Sequence, residues 1–451
     1  SGIRPDGGGP DAGDAGTPPI GNDVAPQPLP GGGTTGGPID GRVNVVVFGG
    51  DTGAPIEGAF VQVNADGARA SGRTDAGGVF TWRVGGLLGP VDVHAVADGY
   101  ALHSVYGLEA ANLSVVLRSL SPEPRPGTAT VSGTIDLSVL PQPPFGESRS
   151  GAVLATLPPG GDASDLPPPG DGSVVYRSDL GVDEAYLLTT RTGLQAVYVV
   201  AGNADLGGSF EPTHFGILRG LAPSAGEHLQ GMNFAPDLPL SVPIQLNVPG
   251  LPSGTEQLVA IPLVDLGAEG QAPLPPLAGG GSGGQVGSAP PLSGPLSGAH
   301  YDLVAVASRR GTCEDTPLGP SCTALPPDST RLFEGLDAGA VASLNLDLLE
   351  PPVLSVSGGM LRFTRGSTVS LAIARFSGGT VDWDVVILGP DGNAFAPPVF
   401  DASAPIEAPS GHYSWRQDLL VVPGFDALEA RFEEIRPNLT HISGDETDVD
   451  L

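Results

Sequence analysis

Hydrophobic and polar residues alternate in this chain over short stretches that glycine and proline separate. The stretch "VASLNLDLL" (341–349) shows the pattern, because its leucines and Val341 mostly alternate with small or polar residues. A period of two is typical of an antiparallel strand with one face in a core. Such strands recur between Gly/Pro turns without intervening helices. The chain is therefore predicted to be all-β, a tandem array of antiparallel β-sandwiches.

The same order of elements recurs three times along the chain. Each copy has a Val/Ala-rich strand ("VDVHAVADGY", "QAVYVVAGNAD" or "DLVAVASRR"), then a Gly-Leu turn and an apolar closing strand. Together with Pro-rich joints, this weak repeat predicts four sandwiches, which we name the first to fourth segments. Their limits are 40–120, 128–238, 239–350 and 353–451, and residues 1–39 precede them.

One stretch, "GFDALEARFEEIRP", has the period of a helix. Its apolar residues fall on one helical face; they are Phe425, Leu428, Phe432 and Ile435. Asp426 and Glu429 have the spacing of a capping box, and Pro437 would end the helix. We expect a short helix that closes one end of the last sandwich.

Two insertions, 158–172 and 267–298, are rich in glycine and proline. Their composition is that of a spacer, which predicts disordered loops. The second insertion contains "GGSGG" (280–284), which fits the hydrolase motif G-x-S-x-G. That motif indicates a nucleophile only between a strand and a helix, so Ser282 is not expected to be catalytic.

Charge narrows the range of partners. The 451 residues include 50 acidic and 20 basic residues, all of the latter arginine, for a net charge of −30. An acidic surface repels nucleic acid and anionic membranes, so neither is an expected partner, although it attracts divalent cations weakly. The sequence has no run of about 18 apolar residues, which a membrane-spanning helix needs.

Residues 1–39 lack apolar periodicity and are rich in Gly, Pro and Asp, which predicts a flexible tether. Such a tether behind a small Ser-Gly start resembles the mature end of bacterial lipoproteins, in which an acylated cysteine would precede Ser1. The resemblance implies that contact with a membrane is made only through an N-terminal lipid anchor.

The two cysteines, Cys313 and Cys322, close a loop of ten residues that contains two prolines and a glycine. A disulfide between them would stabilise the fold by about 2.5–3 kcal/mol through loop entropy. Two thiols alone do not make a zinc site, and no histidine is near them in sequence. We predict a disulfide and therefore an oxidising, extracytoplasmic location.

The first segment carries several marks in order: "DTGAPIEGAFVQV" (51–63), "GRTDAGGVF" (72–80) and "GPVDVHAVADGY" (89–100). They resemble the carboxypeptidase regulatory-like domain, a small transthyretin-like β-sandwich of secreted bacterial proteins. The resemblance implies a domain without catalytic residues that packs beside other domains or binds partners. Asp75 is expected to accept backbone N–H groups in a turn, where a following glycine supplies a positive φ.

The fourth segment holds candidate ligand-binding residues. In "TVDWDVVILGPDGNAF", Asp382 and Asp384 lie on one face of a strand and Trp383 on the other, while Tyr413 and Trp415 share a face in "APSGHYSW". These stretches resemble the jelly-roll domains appended to secreted peptidases. If exposed, the three aromatic residues would stack on sugars; if they face inward, they are core.

Acidic residues provide a candidate calcium site. Glu446, Asp448 and Asp450 alternate with uncharged residues in "DETDVDL" and, like Asp382 and Asp384, offer the oxygen ligands that Ca²⁺ takes. The alternative is that the charges protect an edge strand from aggregation. No other cofactor is expected. The histidines lack the spacing of a metal site; they are His94, His103, His214, His228, His300, His412 and His441.

These patterns predict a non-enzymatic protein at the outer-membrane surface or outside the cell. Its expected role is that of a structural or adhesive spacer, or of a subunit in an extracellular assembly. Its partners would be other surface proteins or copies of itself. The alternative is a carbohydrate- or calcium-binding accessory module of a secreted system, with a polysaccharide as partner. An enzyme would need a histidine, a nucleophile and an acid in one cleft.

Overall fold

The structure is a computed structural model that describes residues 25–121, 127–159, 174–177, 184–205, 210–278, 284–316, 319–389 and 392–451. Within these ranges the regular elements are strands and short 3₁₀ turns, and the strands form largely antiparallel sheets. The predicted all-β class is confirmed. Ser282 and residues 160–172 of the first insertion lie outside the described residues.

The strands of the first segment are β1 (Gly33–Pro38), β2 (Asp40–Gly49), β3 (Phe60–Ala65), β4 (Ala68–Arg73), β5 (Val79–Leu88), β6 (Val91–Val96), β7 (Leu102–Leu108) and β8 (Ala110–Leu117). One sheet has the order β1-β8-β2-β5, and β7, β6, β3 and β4 lie in a second sheet. Val43, Val45 and Val47 alternate along β2 into the core between the sheets. Asn44 and Val46, which lie between them, are buried as well, so β2 is covered on both faces.

The second segment contains β9 (Thr128–Ile135), β10 (Glu147–Ala155), β11 (Val174–Arg177), β12 (Glu184–Arg191), β13 (Gln195–Asp205), β14 (Phe210–Leu221), β15 (His228–Leu229) and β16 (Leu238–Pro239), with a 3₁₀ turn at Leu137–Val139. They form the sheets β11-β10-β13-β14-β16 and β12-β9-β15. Val131, Tyr186 and Val199 belong to the core of this segment. Tyr198 and Val200 alternate with Val199 along β13 and pack into the core of the third segment.

The third segment contains β17 (Val242–Asn247), β18 (Gln257–Asp265), β19 (Gln271–Pro273), β20 (Gln285–Ala289), β21 (His300–Thr316), β22 (Gly319–Leu336) and β23 (Leu344–Asn345), with 3₁₀ turns at Gly267–Glu269 and Gly294–Leu296. The prediction that the insertion 267–298 is a disordered loop is wrong for its described residues. There β19 pairs with β18 and β20 pairs with β17. Leu274 and Leu277 are buried in the core, so apolar burial outweighs the Gly/Pro composition.

The fourth segment contains β24 (Leu354–Ser357), β25 (Met360–Phe363), β26 (Leu371–Ser377), β27 (Trp383–Ile387), β28 (Ala394–Phe395), β29 (His412–Val421) and β30 (His441–Asp450), with 3₁₀ turns at Phe432–Glu434 and Arg436–Asn438. The small sheet β24-β25-β28 contributes Leu361, Phe363 and Phe395 to a core that also contains the aromatic residues of β26, β27 and β29.

One twelve-stranded sheet passes through three segments in the order β19-β18-β21-β22-β30-β29-β26-β27-β7-β6-β3-β4. Four antiparallel residue pairs join β22 to β30, and five parallel pairs join β27 to β7. The segment limits stay a prediction from sequence. Hydrogen-bonded ladders nevertheless join the third segment to the fourth and the fourth to the first, which the sequence pattern does not indicate.

Part of the predicted tether belongs to the fold. Residues 1–24 lie outside the described residues, but β1 pairs with β8. Thr34 donates its backbone N–H to the carbonyl of Ala430 (2.7 Å) and its hydroxyl to the carbonyl of Ala427 (2.8 Å). The prediction of a flexible tether is therefore wrong for the strand, because distant backbone groups supply the hydrogen-bond partners that a Gly-rich segment lacks.

The predicted short helix near the C-terminus is present over 432–438 as two consecutive 3₁₀ helices. Glu429 accepts hydrogen bonds from backbone N–H groups of β1 instead of completing a capping box with Asp426. The apolar face is used as expected but against a different core, that of the first segment. The residues that pack there are Phe425, Leu428, Phe432 and Ile435. This stretch therefore closes the first sandwich, whereas the sequence pattern predicted that it would close the last one.

The turn at Asp75 forms as predicted. Its Oδ1 accepts the backbone N–H groups of Gly77 and Val79, each at 2.9 Å. Gly78 has a φ of 73°, the left-handed conformation that glycine adopts without strain. The carboxylate is thus occupied by the turn.

Cys313 and Cys322 are opposite each other in the backbone register of β21 and β22. Opposite Cα atoms of an antiparallel pair lie about 4.5–5.5 Å apart, which is within the range that a disulfide spans. The side chains of both cysteines lie outside the described residues, so the disulfide stays a prediction.

We expect Gly33→Ala to destabilise the protein more than Gly37→Ala. Both glycines lie in β1 with positive φ (140° and 65°), so alanine adds about 1 kcal/mol of backbone strain at each. A Cβ at Gly33 would also overlap the carbonyl oxygen of Ala430, whereas a Cβ at Gly37 meets nothing within 4 Å. Denaturant unfolding should show a further loss of about 1–3 kcal/mol for Gly33→Ala. Equal losses would contradict the close contact between β1 and the C-terminal turns.

Candidate functional site

The seam, as we name it, is the parallel pairing of β27 with β7 that joins the fourth segment to the first. Its pairs run from Trp383 opposite Leu102 to Ile387 opposite Tyr106. Without this pairing, β7 and β27 would each leave a row of backbone N–H and C=O groups unpaired at a sheet edge. Each segment therefore supplies hydrogen-bond partners to the other.

Both faces of the sheet at the seam are covered by cores to which the two segments contribute together. On one face, Phe60 and Leu102 of the first segment join the aromatic core of the fourth. On the other face, Val386 and Leu420 of the fourth segment join the valine-rich core of the first. Burying a side chain of this size contributes about 1.5–3 kcal/mol, so separation of the segments would be costly.

The three aromatic residues predicted as a sugar-binding candidate lie in this core. Trp383, Tyr413 and Trp415 are each 0% exposed. Phe376 stacks between the two tryptophans, with ring centroids 4.6 Å and 5.8 Å away. None of the three offers a ring face to a ligand, because Phe395 of β28 packs edge-on against both tryptophans and Phe376 packs against Tyr413. The sugar-binding alternative for these three residues is therefore wrong, and the alternative that they belong to the core is the one the structure supports.

A chain of hydrogen bonds between side chains crosses the seam. The indole N–H of Trp383 donates to the hydroxyl oxygen of Ser104 (2.8 Å), which also lies 2.8 Å from Nδ1 of His94. The amide nitrogen of Asn64 lies 3.1 Å from Nε2 of His94, and the Asn64 carbonyl accepts from Nε of Arg69 (3.0 Å). Because Asn64 donates to Nε2, the proton of the neutral imidazole is assigned to Nδ1 and donated to Ser104.

A serine in contact with a histidine is also a catalytic arrangement, but this pair has other properties. Burial, with a smaller contribution from the charge of Arg69, lowers the pKa of His94 to about 3. A general base for neutral pH needs a pKa near 7. Ser104 is fully buried, and its oxygen already accepts the Trp383 N–H. The pair is suited to satisfying buried polar groups across the seam, since leaving one unpaired costs about 1–3 kcal/mol.

The acids that flank Trp383 face basic residues. Nε of Arg118 lies 2.8 Å from one oxygen of Asp384, and Nε of Arg375 lies 3.3 Å from the other. A terminal nitrogen of Arg118 lies 3.5 Å from Asp382. Two guanidinium groups beside one carboxylate oppose the approach of a divalent cation. The candidate calcium role of Asp382 and Asp384 is therefore not supported, and their contacts add ion pairs between the first and fourth segments.

The C-terminal acids lie where β30 has a neighbour on one side only. After Gly444, its described pairing is with β29 alone. There Asp450 lies 3.0 Å and Asp448 4.0 Å from the two ring nitrogens of His412, and Glu446 accepts from a serine hydroxyl of β29. No group of three metal-ligating side chains is arranged to hold an ion within the described ranges. The one-sided pairing agrees with the edge-protection alternative.

A cleft of about 660 Å³ opens where the first and fourth segments meet. Its first-segment wall is polar and includes Asn64, Arg69 and Asp92, while the fourth segment contributes mainly apolar residues. The latter include Met360, Ile387, Phe395, Pro398 and Val399. Burial raises the pKa of Asp92, and the backbone N–H of Gly107 opposes this by donating to its carboxylate (3.1 Å).

Sequence reasoning missed His94, Ser104 and Arg118 as residues of the seam. His94 and Ser104 lie on neighbouring strands, and Trp383 is 279 residues from Ser104. No local spacing connects them. The available signal was His94 in "VDVHAV" and Ser104 in "LHSVYGL", polar residues at strand positions that an independent sandwich would fill with apolar side chains.

No known protein family matches the chain, and no curated protein matches its sequence. Similar solved structures include the Bacillus anthracis TIE protein, with 10% identity and a TM-score of 0.15 over 68% of this chain and 50% of that chain. The shaft pilin SpaA from Lactobacillus rhamnosus GG has 12% identity and a TM-score of 0.13 over 43% of this chain and 97% of that chain.

A variant of BcpA, the major pilin subunit of Bacillus cereus, has 9% identity and a TM-score of 0.14 over 68% of this chain and 99% of that chain. This chain spans half the length of the TIE protein. At these TM-scores the likenesses carry no argument about function. Among the described residues, no helix is long and apolar enough to cross a membrane.

Ser104→Ala is expected to destabilise the protein by about 1–3 kcal/mol, because it leaves the N–H groups of Trp383 and His94 buried without an acceptor. The matched control is Ser443→Ala. Ser443 is also fully buried, but its hydroxyl has no hydrogen-bond partner in the described part of the chain. Its removal should cost less than about 1 kcal/mol. Denaturant unfolding measures both, and equal losses would contradict the bridging role of Ser104.

The buried imidazole of His94 should make the protein less stable in acid. Its folded-state pKa of about 3 is below the ordinary value of 6.5, so the unfolded state binds a proton that the folded state does not. Stability is therefore lost as pH falls from 6.5 towards 3.

The matched comparison is with His94→Gln, measured by denaturant unfolding at pH 7 and pH 5. Between pH 7 and pH 5, the free energy of unfolding of the native protein should fall by about 2 kcal/mol more than that of the variant. Burial lowers the pKa of His103 as well, but that residue is present in both proteins and its effect cancels. An identical pH dependence in the two proteins would show that His94 is not buried in the neutral form.

Proposed function

We propose that this chain is a non-catalytic structural protein of the cell surface or the extracellular space. It acts as a rigid spacer or as a subunit of an extracellular assembly, with other surface proteins or copies of itself as partners. The observation that carries the proposal is the sheet that continues through the seam. A chain whose segments share backbone ladders and cores holds their relative positions, as a spacer must.

The contacts of β1 support a load-bearing role. The backbone N–H of Ala430 donates to the hydroxyl of Thr34 (2.9 Å) across 396 residues of sequence. A force applied at the N-terminal strand is therefore passed directly to the C-terminal turns as well as to β8. Glu429 adds two hydrogen bonds to β1 at the same place.

The location outside the cytoplasm belongs to the same proposal. The backbone register of Cys313 with Cys322 supports it, because a disulfide between them would need an oxidising compartment. A lipid anchor ahead of Ser1 and a carboxypeptidase regulatory-like first segment are the finer parts of this proposal. The accessory-module alternative loses its main support, because its aromatic platform is buried.

Pulling single molecules between tags at the two chain ends tests the mechanical part of the proposal. The first and fourth segments should unfold in one event, because they share a sheet and two cores. The second segment is the internal control, since its described residues share neither a sheet nor a core with the first and fourth segments, and it should unfold in a different event from theirs. A separate unfolding event for the first segment alone would contradict a load-bearing seam.

Antibody labelling of cells that produce the chain tests its location. Staining of intact cells is expected. Staining that requires permeabilised cells would place the protein inside and remove the basis for a surface role.

A further inference from the structure

Two strand edges of the described structure have backbone groups that no other strand pairs. β4 is the last strand of the twelve-stranded sheet and pairs only with β3. Residues 445–450 of β30 pair only with β29. We name β4 the arginine edge and residues 445–450 the acidic edge. An open edge is a template on which a strand of another molecule can pair.

The hydrogen-bond pattern shows which groups of the acidic edge face outward. Leu451 and Gly411 exchange both of their backbone hydrogen bonds (3.0 and 3.1 Å). Bonded and non-bonded pairs alternate along an antiparallel ladder. The residues that direct their backbone groups away from β29 are therefore Glu446, Asp448 and Asp450. Among the described residues only one of these groups has a partner, the N–H of Glu446, which donates to Asp445 (2.9 Å).

The arginine edge has the same geometry. Thr74 donates its N–H to the carbonyl of Ala59 (2.9 Å), at the position next to the end of the β3–β4 ladder. By the same alternation, the residues that direct their backbone groups away from β3 are Arg69, Ser71 and Arg73. No hydrogen bond within the described part of the chain reaches these groups. Neither edge contains proline, so each offers a row of N–H donors.

The side chains on the two edges have opposite charges. Arg69 and Arg73 are exposed on the arginine edge, and Glu446, Asp448 and Asp450 are exposed on the acidic edge. Directly opposite residues of an antiparallel pair lie on the same face, where opposite charges attract and like charges repel. Two acidic edges therefore repel each other, and so do two arginine edges. The pairing that the charges favour is between one edge of each kind.

Two acids reduce the positive charge of the arginine edge. Asp66 lies in the turn before β4, and the carboxylate of Asp401 accepts the hydroxyl of Ser71. The positive charge is therefore local to the two arginines, and the match depends on which side chains lie directly opposite them.

We propose that the arginine edge of one copy pairs with the acidic edge of a second copy as antiparallel strands. The inference rests on the proposed role as an assembly subunit and names its contact. Antiparallel pairing sets the outward residues of one edge opposite the outward residues of the other. The three resulting pairs are Arg73 with Glu446, Ser71 with Asp448, and Arg69 with Asp450. Each arginine then faces a carboxylate.

The two edges lie at different places in one sheet. Six strands separate β30 from β4. Each copy can therefore use both of its edges at once, with a different neighbour at each, which produces an open head-to-tail series. A single ladder of this length is a small contact, so the association is expected to be weak and dependent on concentration.

Sedimentation velocity of the full chain over a concentration series tests the contact. The native protein should form a series of oligomers that shortens as the salt concentration is raised. Ser71→Pro and Asp448→Pro each remove an outward N–H and leave the bonds of the intramolecular ladder in place, so each should abolish the series. Their mixture should stop at dimers, because each variant keeps one intact edge.

Charge exchange gives the sharper result. Arg73→Glu and Glu446→Arg should each raise the apparent dissociation constant by about three- to tenfold, and their combination in one chain should restore association. Glu256→Arg is the matched control, because Glu256 is exposed outside both edges and the substitution changes the net charge as Glu446→Arg does. It should assemble like the native protein. Asp401→Asn should strengthen association, because it removes the acid beside Asp448 of the second copy.

A native protein that stays monomeric at every concentration would overturn this inference. So would proline variants that assemble like the native protein, or a double charge variant that associates no better than either single variant. Any of these results leaves the proposed function to its own tests, since pulling and surface labelling are made on the single chain.

Discussion

Backbone hydrogen bonding between β7 and β27 is the interaction on which the arrangement of the first and fourth segments depends. Unpaired N–H and C=O groups at a sheet edge must find partners in water, in another molecule or in a neighbouring element. In this chain each segment supplies them to the other. Once the strands pair, the side chains on both faces of the sheet lie where residues from the two segments form common cores.

The polar groups at the seam follow from that pairing. Ser104 meets the indole of Trp383 only because the two strands are adjacent, and its hydroxyl then connects the indole to the imidazole of His94. On the opposite side, Asp384 is placed between Arg118 and Arg375. Taken alone, the contact of His94 with Ser104 suggests catalysis and Asp384 suggests metal binding. At the seam His94 is buried and neutral, and Asp384 is paired with arginine. Their positions fit a structural role, in which polar contacts fix the register of two segments.

Local features of the fold could be predicted from sequence, and contacts between distant segments could not. The period of two predicts which side chains are buried in "VASLNLDLL", where Val341, Leu344 and Leu346 lie in the core. The turn at Asp75 follows from local chemistry. The burial of Trp383 depends on which elements cover its face of the strand. Alternation along the sequence shows that β27 has two faces but does not show which of them is covered. The pairing of β1 with β8 was missed because glycine composition predicts flexibility, whereas its partners are contributed by residues far along the chain.

Native-state hydrogen exchange of the full chain at increasing denaturant measures the coupling across the seam most directly. If the first and fourth segments are one cooperative unit, the amides of β7 and β27 will exchange with the same free energy and the same dependence on denaturant, because opening one strand opens the other. If β7 instead exchanges through a smaller opening that leaves β27 protected, the two segments are independent sandwiches and the seam does not couple them.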